Sequence, residues 1–220
     1  MRIPALLLAL AAVAAPSAFA AEDDRSKCFA GSVRACSAAV EAAPEDIALR
    51  RRAAKVFLGE RWDDDAVVNL MAVARLRPDD PTAHGDLAAA LATLNRFTEA
   101  VAPIERALAL CADDLETLQL AAIAFRAGKR WGDLVRADLR AAAKGDRLAM
   151  YELAELYETG TGVAADLGAA YDWLARAAGA GHIGAMDRLA EIHREGLLGR
   201  PKDAALAAFW QKKADDADGN

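Results

Sequence analysis

The apolar positions of the chain repeat with a fixed period through its middle part. Positions of the same character recur 34 residues apart. They form three sets: Ala54, Ala88 and Ala122; Ala53, Leu87 and Ala121; Phe57, Leu91 and Phe125. In the middle copy, one face of a first helix carries His84, Leu87, Ala88 and Leu91, and one face of a second helix carries Ala100, Ile104 and Ala107. This spacing predicts stacked helical hairpins, because a single hairpin cannot bury its apolar face alone.

The period divides the middle of the chain into three units of 34 residues, 47–80, 81–114 and 115–148. At the first boundary Pro78 ends one helix, and Asp79 and Asp80 are suited to capping the next. In its period and its small, large and boundary positions, the chain resembles the tetratricopeptide repeat family. It departs from that family at Ala112, where the boundary proline is missing, and at Leu134, which replaces a small residue. Both departures imply looser packing and not another fold.

After residue 145 the period becomes longer. One set of positions recurs 36 residues later, and it comprises Gly145, Ala149, Leu153, Ala154 and Gly160. A second set recurs 37 residues later, and it comprises Asp166, Ala170 and Trp173. The run 153–163, with Asp166 and 173–178, resembles the Sel1-like repeat, which is also built from helical hairpins. Two such repeats are expected over 145–216, overlapping the preceding unit at 145–148, and the polar end 217–220 is expected to be disordered.

Together these patterns predict an all-α protein, an α/α superhelical solenoid of tetratricopeptide and Sel1-like hairpins. The composition supports this fold class, because 55% of the residues are hydrophobic. Alanine, the best helix former, is the most frequent of them, whereas β-branched residues are sparse. Ahead of the full units, residues 21–46 are expected to form a half-repeat with one helix over 33–45.

The first 20 residues have the character of a secretory signal peptide. Arg2 precedes an apolar stretch over 6–15, and Ala18, Phe19 and Ala20 supply an A-x-A cleavage site. An uncleaved membrane anchor is the alternative, although it requires a longer apolar core. No later segment has the unbroken apolar length of a membrane span. The chain is therefore expected to be periplasmic or secreted. Its formal charge of −6 argues against a nucleic-acid surface, which needs clustered basic residues.

The cysteines bear on this location. An oxidising compartment favours a disulfide between Cys28 and Cys36. Eight residues of unbroken helix would hold their Cα atoms about 12 Å apart, so the bridge requires the chain to fold back between them. Gly31 and Ser32 supply that break, since serine is a good N-cap; two free thiols are the alternative. Cys111 is expected to be a buried small apolar residue.

No residue pattern points to catalysis. The sequence has no His-Glu-x-x-His or Cys-x-x-Cys ligand pair, no Gly-x-Ser-x-Gly elbow and no phosphate-binding loop. His84 and His193 stand at packing positions, and His182 stands at a helix start. The carboxylates of 63–65 are interpreted as the acidic start of a helix. We therefore predict no metal site, no cofactor and no enzymatic activity.

The tetratricopeptide resemblance implies a binding groove, because the first helix of each repeat lines the concave face in that family. The partner-binding set mapped onto this chain is Arg51, Lys55, Ala89, Gln119, Ile123 and Arg126. Positive charge at both ends predicts an acidic or carboxylate-terminated peptide as the ligand. The set partly resembles the carboxylate clamp of chaperone-binding tetratricopeptide proteins, with Ile123 where a basic residue belongs. A solvated helix face without a dedicated ligand is the alternative.

These features predict a non-catalytic scaffold or adaptor in the bacterial envelope that holds a peptide or protein segment. A second interpretation comes from cysteine-rich exported Sel1-like proteins that bind or slowly hydrolyse β-lactams, or bind cell-wall fragments. Those proteins carry a cysteine pair in every repeat, whereas 145–216 contains no cysteine. A third interpretation is a structural subunit of an envelope complex.

Overall fold

A computed structural model of the chain describes residues 18–111 and 114–219. Over these residues it contains twelve helices and no strand, which confirms the predicted all-α class. The helices are α1 (Ala18–Phe29), α2 (Val33–Ala42), α3 (Ile47–Gly59), α4 (Asp63–Leu76), α5 (Pro81–Thr93), α6 (Phe97–Leu110), α7 (Leu115–Ala127), α8 (Trp131–Ala143), α9 (Arg147–Thr159), α10 (Leu167–Gly179), α11 (Ile183–Glu195) and α12 (Ala204–Asp218). Ala112 and most of the expected signal peptide lie outside the described residues.

Aspartates begin the first helix of successive hairpins. The side chains of Asp46, Asp80, Asp114 and Asp146 cap α3, α5, α7 and α9, respectively, by accepting hydrogen bonds from backbone N–H groups. Each cap satisfies donors that the first helical turn leaves unpaired. The capping role predicted for Asp80 is thus confirmed, and the 34-residue period is visible in the first three caps as well as in the apolar positions.

The chain divides into two compact units after Leu76. In the first unit α1 packs on α2 and α3, and α3 packs on α4. Cys28 and Cys36 form a disulfide with their Cα atoms 4.4 Å apart. The chain folds back between them at Gly31, whose φ is +102°, and Ser32 caps α2.

The first unit contains a helix that the sequence analysis did not expect. A single helix was expected within 21–46, whereas the structure places α1 against α2 as a hairpin. Arg25 pairs with Asp46, and Arg52 donates a 2.7 Å hydrogen bond to the carbonyl of Phe29. The apolar pattern of α1 is weak because its anchors are a disulfide and polar contacts, so helical periodicity did not reveal it.

In the second unit each helix from α5 to α12 packs on the next, and α5 also contacts α7. Small residues stand where helices meet, and Ala88, Ala100, Ala107 and Ala121 are all buried. Their size lets the helix backbones approach closely, as the repeat pattern predicts.

The last two hairpins are α9 with α10 and α11 with α12, which share a buried cluster that includes Leu174, Leu189 and Ile192. Gly160 ends α9 in the left-handed conformation, with φ of +72°, which glycine adopts without strain. The C-terminal helix α12 continues to Asp218. The tail expected to be disordered over 217–220 is therefore helical at 217 and 218, and residue 220 lies outside the described residues.

Candidate functional site

The predicted groove residues fall in both units. Arg51 and Lys55 lie on α3 of the first unit, where Lys55 is exposed and Arg51 is half-buried. The other four residues belong to the second unit: Ala89 lies on α5, and Gln119, Ile123 and Arg126 lie on α7. The candidate site belongs to the second unit, which contains the larger part of the predicted set.

One face of α7 carries three of the predicted residues. Gln119, Ile123 and Arg126 follow i, i+4, i+7 spacing and therefore share a side of the helix. All three are exposed, and Ile123 keeps 53% of its surface in contact with solvent. Each of the polar two reaches α9 or its cap. Gln119 donates a 2.6 Å hydrogen bond to Oδ2 of Asp146, and Arg126 forms an ion pair with Glu152.

A cavity of about 290 Å³ opens beside this face, and we call it the α7–α9 cavity. It is lined by Gln119, Ala122, Ile123, Asp138, Ala141, Asp146, Leu148, Ala149 and Glu152. Two of the six predicted residues, Gln119 and Ile123, thus share one cavity. Its three carboxylates come from α8, from the cap of α9 and from α9 itself.

Asp138 is the unusual member of this cavity. Its side chain is completely buried on α8, and neither carboxylate oxygen has a hydrogen-bond partner among the described residues. The pKa of Asp138 is raised to about 8, mainly by burial and also by the nearby charges of Glu152 and Asp146, while Arg126 opposes the shift. A carboxyl with this pKa is mostly protonated at neutral pH.

A second cavity of about 500 Å³, the α9–α11 cavity, lies farther along the unit. Its polar lining includes Arg126, Glu152, Glu155, Glu158 and Arg188. Arg188 pairs with Glu158 at 2.8 Å and with Glu191 at 2.5 Å. This acidic row was not predicted from the sequence, although the spacing of Glu152, Glu155 and Glu158 at every third residue of a helix would have revealed it.

A third cavity of about 320 Å³, the α5–α7 cavity, includes the predicted residue Ala89 and also Cys111. Cys111 is exposed and unbonded, so the expectation that it is buried was wrong. The helix α6 ends at Leu110, and a residue just past a helix end is not held in the packed interface. Asp114, on the same cavity, has its pKa lowered by the hydroxyl and backbone N–H of Thr117.

Two histidines of the second unit, His182 and His193, contact side chains of neighbouring helices. Nδ1 of His182 accepts a 3.1 Å hydrogen bond from the N–H of Ala185 and so caps α11. Its ring stacks on Tyr151 with centroids 4.5 Å apart, and burial lowers its pKa. Nε2 of the buried His193 lies 3.0 Å from the hydroxyl of Tyr171. These contacts agree with the helix start predicted for His182 and with the packing position predicted for His193.

Across residues 18–111 and 114–219, no group of three or more histidine, cysteine, aspartate or glutamate residues is arranged to hold a metal ion. Within the same ranges, no helix has both the length and the apolar character needed to cross a membrane.

Comparisons with known proteins address the fold. Residues 147–182 and 183–214 match the family model of the Sel1 repeat, and no curated protein sequence matches the chain significantly. Residues 41 to the end of MamA from Desulfovibrio magneticus RS-1 superpose with a TM-score of 0.59 at 19% identity, covering 79% of this chain and 95% of that chain.

Two other solved structures are similar. A Sel1 repeat protein from Oxalobacter formigenes has a TM-score of 0.51 at 20% identity, covering 90% of this chain and 88% of that chain. YrrB, described as a TPR protein with an unusual peptide-binding site, has a TM-score of 0.60 at 16% identity, covering 86% of this chain and 95% of that chain. The chain is therefore a helical repeat protein with the fold of tetratricopeptide and Sel1 repeat proteins, and residues 147–182 and 183–214 are its two Sel1 repeats.

Proposed function

We propose that this protein is a non-catalytic scaffold of the bacterial envelope, which binds a peptide or protein segment along α5, α7 and α9. The observation that carries the proposal is the exposed face of α7, where Gln119, Ile123 and Arg126 stand beside two cavities. A half-exposed isoleucine between polar side chains is suited to an extended ligand that offers both apolar and polar contacts. The described peptide-binding site of YrrB, which has the same fold, supports this type of function.

The proposal is tested by site-specific crosslinking in cells. A photo-reactive phenylalanine analogue replaces Ile123, and the same analogue replaces Asp172, an exposed residue of α10, as the matched control. We expect a discrete crosslinked partner from position 123 and none from position 172. Equal labelling at the two positions would rule out a dedicated binding face on α7.

The contribution of the first unit is tested separately. Changing Arg51 and Lys55 together to glutamate reverses the charge of the predicted basic end, which lies on α3. If that end contacts the same partner, the crosslink from position 123 weakens in the double variant. An unchanged crosslink would remove Arg51 and Lys55 from the partner-binding set.

Export to the envelope is the other part of the proposal, and it rests on the signal-like residues 1–20. Cell fractionation followed by N-terminal sequencing tests it directly. We expect the mature protein to begin at Ala21 and to be found in the periplasm or the medium. A chain that keeps Met1 and stays with the cytoplasm would contradict export while leaving the binding face unaffected.

A further inference from the structure

We propose that the α7–α9 cavity binds the basic side chain, arginine or lysine, of a peptide segment, with Asp138 as the carboxylate that receives it. This inference rests on the proposed function and names the chemistry of the ligand. It replaces the acidic ligand expected from the sequence with one of the opposite charge.

The burial of Asp138 favours a basic side chain as the ligand. A completely buried carboxyl without a hydrogen-bond partner among the described residues is costly, and native proteins rarely leave one unexplained. Asp138 nevertheless lines the α7–α9 cavity, so a small movement of the side chains around it would expose its oxygens to a donor placed in the cavity. A guanidinium or ammonium group supplies the N–H donors and the positive charge that its two oxygens lack.

The polar groups next to Asp138 already have hydrogen-bond or ion-pair partners within the protein. Oδ1 of Asp146 accepts from the N–H groups of Leu148 and Ala149, and its Oδ2 accepts from Gln119. Glu152 pairs with Arg126. Among the polar groups that line the cavity, Asp138 is therefore the one whose oxygens still lack a hydrogen-bond donor.

The walls of the cavity and the sign of its charge also favour a basic side chain as the ligand. Ile123 and Leu148 line it and keep 53% and 52% of their surfaces exposed. They form an apolar wall against which the aliphatic stem of arginine or lysine can pack. Asp146 and Glu152 place negative charge around Asp138, and Arg126 balances only part of it. A carboxylate ligand would meet repulsion here.

The binding is expected to depend on pH with a defined sign. A cation favours the ionised form of Asp138, whose pKa in the free protein is about 8. Below that pH, binding must expel a proton, so affinity should rise as the pH increases toward 8 and then level off. The facing groups are Glu152 and Asp146, which hold the pKa up, and Arg126, which lowers it.

The test uses the full mature chain and four synthetic pentapeptides, acetylated and amidated, with arginine, lysine, leucine or glutamate between pairs of alanines. Binding is followed by the amide NMR shifts of α7, α8 and α9, and the pKa of Asp138 by its carboxyl ¹³C signal. We expect the arginine and lysine peptides to shift these signals and to lower the pKa of Asp138, and the other two peptides to do neither.

Asp138→Asn is the decisive variant, because the amide keeps the shape of the carboxyl and cannot ionise. It should weaken the binding of the arginine peptide about tenfold or more and abolish its pH dependence. Asp172→Asn removes the same charge from the exposed face of α10 and should leave both unchanged.

Three results would overturn the inference. The first is an affinity of Asp138→Asn for the arginine peptide equal to that of the wild type, and the second is a preference for the glutamate peptide. The third is no binding of the arginine and lysine peptides at 10 mM together with an unchanged pKa of Asp138. That third result would mean that only solvent fills the cavity. The crosslink from position 123 judges the proposed function independently. A crosslinked partner together with any of these results would support the scaffold function and exclude only the basic side chain as the ligand of the cavity.

Discussion

At the scale of single residues, the carboxylates of the second unit show how the same side chain is put to different uses. Asp146 is engaged by a helix start and by Gln119, and Glu152 is engaged by Arg126. Asp138 differs because the packing of α8 removes it from water without giving it a donor. Its protonation is therefore coupled to folding.

This coupling predicts a loss of stability at high pH. The pKa of Asp138 is about 8 in the folded protein, compared with 3.8 for the ordinary group. Between these values the folded state holds a proton that the unfolded chain releases. The free energy of unfolding should therefore fall as the pH rises, by at most about 1.4 kcal/mol per pH unit, and this contribution should level off above pH 8.

Urea denaturation of the wild type and of Asp138→Asn at pH 5 to 9 measures the effect. The wild type should lose stability relative to the variant as the pH rises from 5 to 8, and the difference should then stay constant, because an amide carries no charge to desolvate. Asp172→Asn serves as the control and should follow the wild type throughout. Stability curves of Asp138→Asn and wild type that stay parallel across the range would show that Asp138 does not titrate as described.

At the scale of helices, alanines set the distance between neighbouring elements. Ala88 of α5 is completely buried, whereas Ala89, the next residue, is exposed. The helix therefore has one face whose side chains must be small, next to a face whose side chains can be larger. The 34-residue period selects the first of these positions and leaves the second open.

The two alanines give a matched pair of substitutions. Ala88→Leu inserts a large side chain into a close helix contact and should lower the free energy of unfolding by about 1–3 kcal/mol. Ala89→Leu adds the same atoms at an exposed site and should change it by less than about 0.5 kcal/mol. Urea denaturation decides between them, and equal effects would mean that α5 does not need a small residue at position 88.

The loop between α9 and α10 depends on another small residue. Gly162 has a φ of +74°, and a Cβ atom there would lie 2.6 Å from the backbone of Trp131 at the start of α8. Gly199, in the loop between α11 and α12, has a φ of +68° with no atom within 4 Å of an added Cβ. The two glycines thus share a left-handed conformation that would strain an alanine, and they differ in the room around them.

This difference predicts unequal effects of the same substitution. Gly199→Ala should cost about 1 kcal/mol, the strain of a left-handed alanine. Gly162→Ala should cost at least about 2 kcal/mol, because α8 or the loop must also move away. Thermal or urea unfolding measures both, and a smaller loss for Gly162→Ala than for Gly199→Ala would contradict the close approach to Trp131.

At the scale of the whole molecule, the cysteines connect the fold with the expected compartment. The chain has three cysteines, of which Cys28 and Cys36 are bridged and buried while Cys111 is free and exposed. The bridge joins α1 to the start of α2, and α1 has few other apolar anchors. Export to an oxidising compartment and the order of this first hairpin should therefore go together.

Thiol counting under denaturing conditions checks this connection. Protein recovered from the periplasm should react at one cysteine per chain, and Cys111→Ser should lower that count to zero. Protein made in a reducing cytosol should react at three. Reduction should also lower the stability of the first unit, by about 2 kcal/mol for a loop of this size. Three reactive thiols in periplasmic protein would show that the bridge does not form there.

The sequence by itself determined the all-α class and the helical-repeat fold of the chain. The reason is physical and local: capping aspartates, small packing residues and the 3.6-residue period act within one or two turns of helix. It also selected the face of α7, because residues at i, i+4 and i+7 must lie together. It missed α1, whose anchors are a disulfide and polar contacts and not an apolar stripe.

Only the tertiary structure decided the character of that face. The pairing of Arg126 with Glu152 joins residues of neighbouring helices, and no local pattern specifies it. The burial of Asp138 and the exposure of Cys111 depend on how α6, α7, α8 and α9 pack. Desolvation and charge pairing arise from three-dimensional packing. The sequence therefore predicts a basic groove, whereas the α7–α9 cavity is acidic once the helices are assembled.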